Sequence, residues 1–300
     1  MTRGGRRPAA TVAVLALAVV LVGCASEGPP PTAATPTAVP LPTPVTTTFA
    51  INQTAWYAGL IVHVNSVTAV LRAGTGSVAA DIRIENPGPD TATLEAPIRL
   101  TSSGQVIEPV RGTELPDVPA GGSVAVTVPF DVDDAFDLDV AAIRIGRTAY
   151  HQVVLPLVEG RLTLSTLAPR HFDLVGFAQA GQLLVSVHGA DLRADLPDWG
   201  IELAPDVMAL TITYDARYVG TFGGGFAFTP ANIGLVLPDG RTIAAREDGH
   251  SAPAALIGRG KTVSALQSRF DVPAPGIGTY ALVIRDGRAT RTIPLAIGGS

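Results

Sequence analysis

The chain is predicted to be all-β, with two tandem antiparallel β-sandwiches behind a leader and a Pro/Thr-rich linker. Three observations predict it. Short segments beyond residue 48 alternate apolar and polar residues, turn dipeptides separate them, and distinctive residues recur in order at a spacing of about 122 to 141 positions. Alternation with period two marks half-buried strands, which pack one face on a core and leave the other wet.

The first element is the leader. Residues 1–23 carry Arg3, Arg6 and Arg7 and no acidic residue, and an apolar run extends from about Pro8 to Val22. That is the charged start and apolar middle of a secretory signal. The run of about 14 residues is shorter than the ~20 that a permanent membrane-spanning helix needs. It ends in Leu21-Val22-Gly23-Cys24, which resembles the lipobox of bacterial lipoproteins. The resemblance implies cleavage between Gly23 and Cys24, acylation of the Cys24 sulfur through a diacylglycerol, and a mature protein anchored on the extracytoplasmic face of the cell membrane. Cys24 is the only cysteine, so no internal disulfide is available and the domains beyond it must be held by their cores.

The linker, residues 24–48, follows. From residue 25 it holds seven Pro and seven Thr and almost no charge. Such a composition favours extended polyproline II, at ~3.1 Å per residue, so the leash reaches at most roughly 70 Å.

The strands come next. Val78, Ala80, Ile82 and Ile84 alternate with Ala79, Asp81, Arg83 and Glu85; Val124, Val126, Val128 and Phe130 alternate with Ser123, Ala125, Thr127 and Pro129; Leu210, Ile212 and Tyr214 alternate with polar neighbours. Ser103-Gly104, Asp239-Gly240 and Asp286-Gly287 are turn signals, the last expected as the two-residue loop of a hairpin. The one stretch with any helical character is a short turn near Pro253–Ile257.

The repeat pairs Phe49 with Phe172, Ala58-Gly59 with Ala180-Gly181, Ser103-Gly104-Gln105 with Asp239-Gly240-Arg241, Phe130-Asp131-Val132 with Phe270-Asp271-Val272, and Gly146-Arg147 with Gly287-Arg288. This predicts two copies of one β domain, at 49–158 and 160–300. The second copy adds Asp195–Ala204 and the Gly223-Gly224-Gly225 loop. About seven strands per copy, with turns every 8–12 residues, fit immunoglobulin-like sandwiches.

Gly59 to Val67, Ala80 to Asn86, Leu100 to Glu108 and Pro119 to Val132 also resemble the immunoglobulin-like extracellular domains that follow lipoboxes in Gram-positive and actinobacterial lipoproteins, related to the mycobacterial immunoprotective secreted antigen. The resemblance implies that fold and an exported setting. Its motifs are structural and carry no catalytic residue. The second copy has Asp215 where the first ends its strand in Asn86.

Charge excludes some partners. Without the leader the chain has 18 basic and 26 acidic groups, a net of −8. Nucleic acid is therefore not an expected partner, since phosphate binding needs a basic surface. Residues 49–158 hold 12 acidic and 6 basic groups, a net of −6, and residues 160–300 hold 12 of each.

The candidate chemistry is thin. Asp131, Asp133, Asp134, Asp137 and Asp139 are read as a solvated acidic run, not a calcium loop, because the turning glycine of an EF-hand is missing. His63, His151, His171, His188 and His250 stand at no zinc-ligand spacing, and His63 and His188 oppose the parity of their apolar neighbours, so both are expected to face solvent. No Gly-x-Ser-x-Gly elbow occurs. No metal or cofactor is expected. The most unusual stretch is Tyr218 to Phe228, where Phe222, Phe226 and Phe228 flank the triple glycine. These three form a candidate partner surface, with Trp56-Tyr57 and Trp199 as the other bulky groups near the surface. The expected function is a non-enzymatic binding or scaffolding lipoprotein whose partner is an envelope protein or polysaccharide. The alternatives are a ligand- or metal-binding lipoprotein serving a transporter, and an envelope hydrolase.

Overall fold

The structure, a computed structural model, describes residues 42–197, 200–247, 251 and 254–298. Gly23 and Cys24, most of the linker, Trp199, Pro253 and His250 lie outside the described residues.

The described chain is all-β. Strands β1 (Val45–Tyr57), β2 (Leu60–Arg72), β3 (Thr75–Glu85) and β6 (Ser123–Val132) form an antiparallel sheet in the order β1-β2-β3-β6. Strands β4 (Ile98–Ser102), β5 (Gln105–Ile107), β7 (Ala142–Ile145) and β8 (Val153–Pro156) form a second sheet in the order β5-β4-β7-β8. One core lies between them, with Val62, Val78, Ile82 and Phe130 from the first sheet and Leu100, Ile143, Ile145 and Leu155 from the second.

The remaining strands repeat this plan. β9 (Arg170–Ala180), β10 (Leu183–Arg193), β13 (Val207–Tyr218) and β18 (Thr262–Pro273) form a sheet in the order β18-β13-β10-β9. β15 (Ile233–Val236), β16 (Thr242–Ala244), β19 (Gly278–Asp286) and β20 (Ala289–Ile297) are ordered β16-β15-β19-β20. Their shared core holds Leu183, Tyr214, Phe228, Phe270 and Leu282. Two short ribbons complete the set, β11 (Asp195–Leu196) with β12 (Ile201–Glu202), and β14 (Phe226–Phe228) with β17 (Ala255–Ile257).

Strand by strand, the two orders are the same, and so are their irregularities. The β2–β3 ladder slips between Val64 and Ser66, and the β10–β13 ladder between Val187 and Gly189. Each slip lies the same number of residues into its strand. A bulge adds one residue and reverses the parity of all that follow. Hence Val62 and Val64 face the first core on even numbers, while Val67 and Ala69 face it on odd ones. His188 is the bulged residue of β10, which holds its side chain outside the core. Where the β14–β17 ribbon stands in the second half, the first has the single bridge Ala92↔Val118.

Several sequence expectations need correction. The first strand starts at Val45, inside the residues read as linker. Thr46-Thr47-Thr48 pair with Val70-Ala69-Thr68 of β2, because β-branched Thr suits a strand once a partner edge is present. The helical turn expected near Pro253–Ile257 is strand at Ala255–Ile257; the described helical segments are the short 3-10 turns Leu138–Val140 and Pro230–Asn232. In the last hairpin Asp286 pairs with Ala289, so the loop is Gly287-Arg288, not Asp286-Gly287.

Asp215 is not the counterpart of Asn86. The cross-strand pairs Ile61↔Glu85 and Leu184↔Arg217 put Asn86 level with Tyr218. Both residues pin the loop that follows them. Asn86 is nearly fully buried, accepts from the Gly88 amide at 2.9 Å, and donates to the Asp90 and Val118 carbonyls at 2.7 and 3.1 Å. The Tyr218 hydroxyl accepts from the Phe222 amide at 2.9 Å.

Candidate functional site

The Phe/Gly loop leaves the end of β13. Its three phenylalanines take three different places. Phe222 stands out from the surface with 70 % of its area exposed. Phe226 is half-buried and stacks on Tyr218, ring centroids 6.1 Å apart. Phe228 is fully buried in the second core, tilted against Tyr214 at 6.3 Å. The expectation of a surface made by all three is therefore corrected: Phe228 is a core residue. The cause is the pleat, which turns Phe226 and Phe228 inward together and Ala227 outward. The Phe-Ala-Phe alternation is the sequence signal that separates them.

Phe222 is exposed and yet held. Its amide donates to the buried Tyr218 hydroxyl and its carbonyl accepts from the Gly225 amide at 3.2 Å. Gly225 has φ +84°, and a Cβ there would lie 2.6 Å from the Ile257 carbonyl oxygen, so the turn requires glycine. On the adjoining ribbon Leu256, opposite Ala227, is 71 % exposed.

Three acids of the run serve local structure. Asp133 accepts from the Ala135 amide, Asp137 caps the 3-10 turn by accepting from the Asp139 amide, and Asp139 pairs with Arg161 at 3.8 Å. Among the described residues no group of three or more His, Cys, Asp or Glu is placed to hold a metal.

The described histidines each meet an oxygen. His63, half covered on the outer face of β2, has Thr54 Oγ1 at 3.0 Å and Glu85 at 3.5 Å. The Asp191 hydrogen bond, 2.7 Å from His171, and that carboxylate's charge hold His171 above its ordinary pKa. His188 lies 3.1 Å from Asp215. Burial works against the Asp215 carboxylate, but the Ala265 amide and His188 outweigh it and hold it below its ordinary pKa. His151 binds across to the second half, Nε2 lying 2.6 Å from the Val207 carbonyl.

Sequence reasoning missed a surface cleft of about 780 Å³ on the outer face of the β5-β4-β7-β8 sheet. Its floor is Arg99, Thr101 and Arg144, the residues that alternate outward while Ile98, Leu100, Ile143 and Ile145 pack inward. Ser103, Gln105, Thr148 and Gln152 line its walls. Nothing in the local sequence marks it, because it depends on which strands are neighbours. A second cleft, about 710 Å³, runs from Trp56, Gly59 and the 86–92 loop to Pro169, Arg193 and Pro197.

Compared with known proteins, the chain matches no family model and no curated sequence.

Proposed function

We propose that this chain is an exported lipoprotein, anchored through lipid on Cys24 to the extracytoplasmic face of the membrane, that works by binding a partner and not by catalysis. In this reading its two halves are tandem immunoglobulin-like sandwiches. The matching strand orders, with matching bulges at Asn65 and His188, support the duplication. The Leu21–Cys24 run after an arginine-bearing apolar leader supports the anchor.

The observation that carries the binding function is Phe222. Exposure alone does not single it out, since Phe177 is 77 % exposed; the way its backbone is held does. Here its backbone is fixed at two points to the buried Tyr218 and to the Gly225 turn. A ring held in place before contact loses little freedom on binding, and aromatic residues so placed dominate interface energies. The partner is an envelope protein that presents an apolar pocket to Phe222.

The test uses two variants in the producing cell. Phe222→Ser should leave the thermal midpoint within about 1 °C, as for a surface change away from structural features, and abolish cross-linking to the partner. Cys24→Ser should move the protein from the membrane fraction to the medium without unfolding it. Phe222→Ser that still captures the same partner, or Cys24→Ser that stays membrane-bound, refutes the corresponding half of the proposal.

A further inference from the structure

We infer that the cleft on the β5-β4-β7-β8 sheet is a carboxylate-binding site, with Arg144 as its anchor and a uronate sugar of an acidic polysaccharide as its ligand. The argument begins with register. Arg99 of β4 is paired directly with Arg144 of β7, and both side chains lie on the outer face. Residues opposite one another on one face have Cβ atoms about 4.5–5.5 Å apart, and like charges there destabilise the sheet.

Only one of the two charges is answered. Arg99 Nε donates to Glu108 Oε1 at 2.7 Å. Arg144 meets neutral oxygens alone: Nε donates to Thr101 Oγ1 at 3.2 Å and Nη1 reaches Gln152 Oε1 at 3.5 Å. Gln152 is itself oriented by donating to the Gly146 carbonyl at 3.1 Å. Several described arginines on exposed positions likewise lack a carboxylate partner; what sets Arg144 apart is that it stands directly across the strand pair from a second arginine, inside a cleft. Arg144 lies in the half whose net charge is −6, yet no carboxylate closes on it. Of the two acids of the cleft, Glu108 pairs with Arg99 and Asp137 accepts from the Asp139 amide; neither is at ion-pair distance from Arg144.

A guanidinium carries five N–H donors in a planar fork that matches a carboxylate with two parallel bonds. Arg144 uses two of them on neutral oxygens. Around it stand hydroxyls and amides, Thr101, Ser103, Gln105, Thr148 and Gln152, groups that donate and accept as sugar hydroxyls do. A volume of about 780 Å³ lies in the range of small-ligand sites, ~300–1,000 Å³. A guanidinium with no carboxylate partner, beside the Arg99–Glu108 ion pair and among hydroxyls and amides, offers a hydroxylated carboxylate both its charge and its hydrogen bonds.

This inference rests on the exported-binder reading only for where the ligand is met; the site itself is separate from Phe222. The experiment titrates the full chain in detergent with trigalacturonate, its methyl ester, inorganic phosphate and a short peptide with a free C-terminus. Trigalacturonate should bind, its methyl ester should bind at least tenfold more weakly, and Arg144→Gln should lose the same factor. Arg144→Lys, which keeps the charge without the fork, should recover only part. With no ligand present, Arg144→Gln should hold or raise the thermal midpoint, because it relieves the repulsion from Arg99. Equal binding of acid and ester, or undiminished binding by Arg144→Gln, overturns the site. Tighter binding of the peptide or of phosphate overturns the ligand class. Phe222→Ser should bind trigalacturonate normally, so loss of this inference and loss of the protein-partner reading are told apart.

Discussion

Tyr214 shows how a single residue ties this fold to its solvent. Its ring is fully buried in the second core, and its hydroxyl lies 2.9 Å from Ser268 Oγ. Burial pushes the phenol up from 10.0 to about 12, with the Ser268 hydrogen bond pulling the other way. The sign follows directly. Below pH 10 both folded and unfolded chains keep the proton, and stability does not respond. Between pH 10 and about 12 the unfolded chain gives up its proton first, so stability falls as pH rises. Two pKa units correspond to a loss on the order of 2–3 kcal/mol. Burial also raises Tyr57 and Tyr280, Tyr57 with help from Glu202, so the parent should lose urea resistance steeply above pH 10. Tyr214→Phe should start about 1–2 kcal/mol less stable at neutral pH, because Ser268 is left unpaired, and should then decline less steeply. Urea midpoints from pH 8 to 12 decide it: parallel curves for parent and variant would remove Tyr214 from the account.

At the scale of elements, what matters is how each strand hands over to the next loop. Asn86 closes β3 by holding the Gly88 amide and the Asp90 and Val118 carbonyls together. It thus fastens the 87–92 loop to the Ala92↔Val118 bridge. Removing three hydrogen bonds, one of them buried, should cost about 3 kcal/mol. Asn86→Ala should therefore lower the thermal midpoint by roughly 6–12 °C. Asn86→Asp should do nearly as badly, because a carboxylate cannot donate to two carbonyls; an aspartate variant as stable as the parent would show that those donations contribute little. Asn86 was legible as a strand terminus, and the alternating strands from Val78 to Ile84 and from Leu210 to Tyr214 were legible from period alone. Their counterpart relation was not. Tyr218, level with Asn86, does the same work with a different group, and only cross-strand register exposes that. Register also hid the cleft, since Arg99 and Arg144 are 45 positions apart. Local propensity misled at Thr46–Thr48 and at Ala255–Ile257, where a partner strand decides the conformation.

For the molecule as a whole, the telling segment is Asp195–Ala204, one of the two stretches that the first half of the sequence lacks. It carries the β11–β12 ribbon, and it reaches the first half. The Tyr57 hydroxyl donates to Glu202 Oε2 at 2.9 Å, Arg147 lies 3.7 Å from Glu202 Oε1, and the His151 amide donates to the Leu203 carbonyl at 3.1 Å. Gly146, at φ +120°, makes room for the Tyr57 ring, which a Cβ there would approach to 2.7 Å. Tyr57 is nearly fully buried and the Glu202 side chain is 18 % exposed. A half-buried carboxylate shared by a phenol and a guanidinium is worth about 2 kcal/mol and is costly to leave half-made. This contact should make the two halves unfold together, although each has its own core. Glu202→Ala removes both partners' oxygen at once. It should speed hydrogen exchange at the His151 amide by ten- to thirtyfold, a change equivalent to about 2 kcal/mol, and separate one calorimetric transition into two. If His151 exchanges at the parent rate in Glu202→Ala, the halves are held by something other than this ribbon, and Tyr57→Phe should then be equally silent.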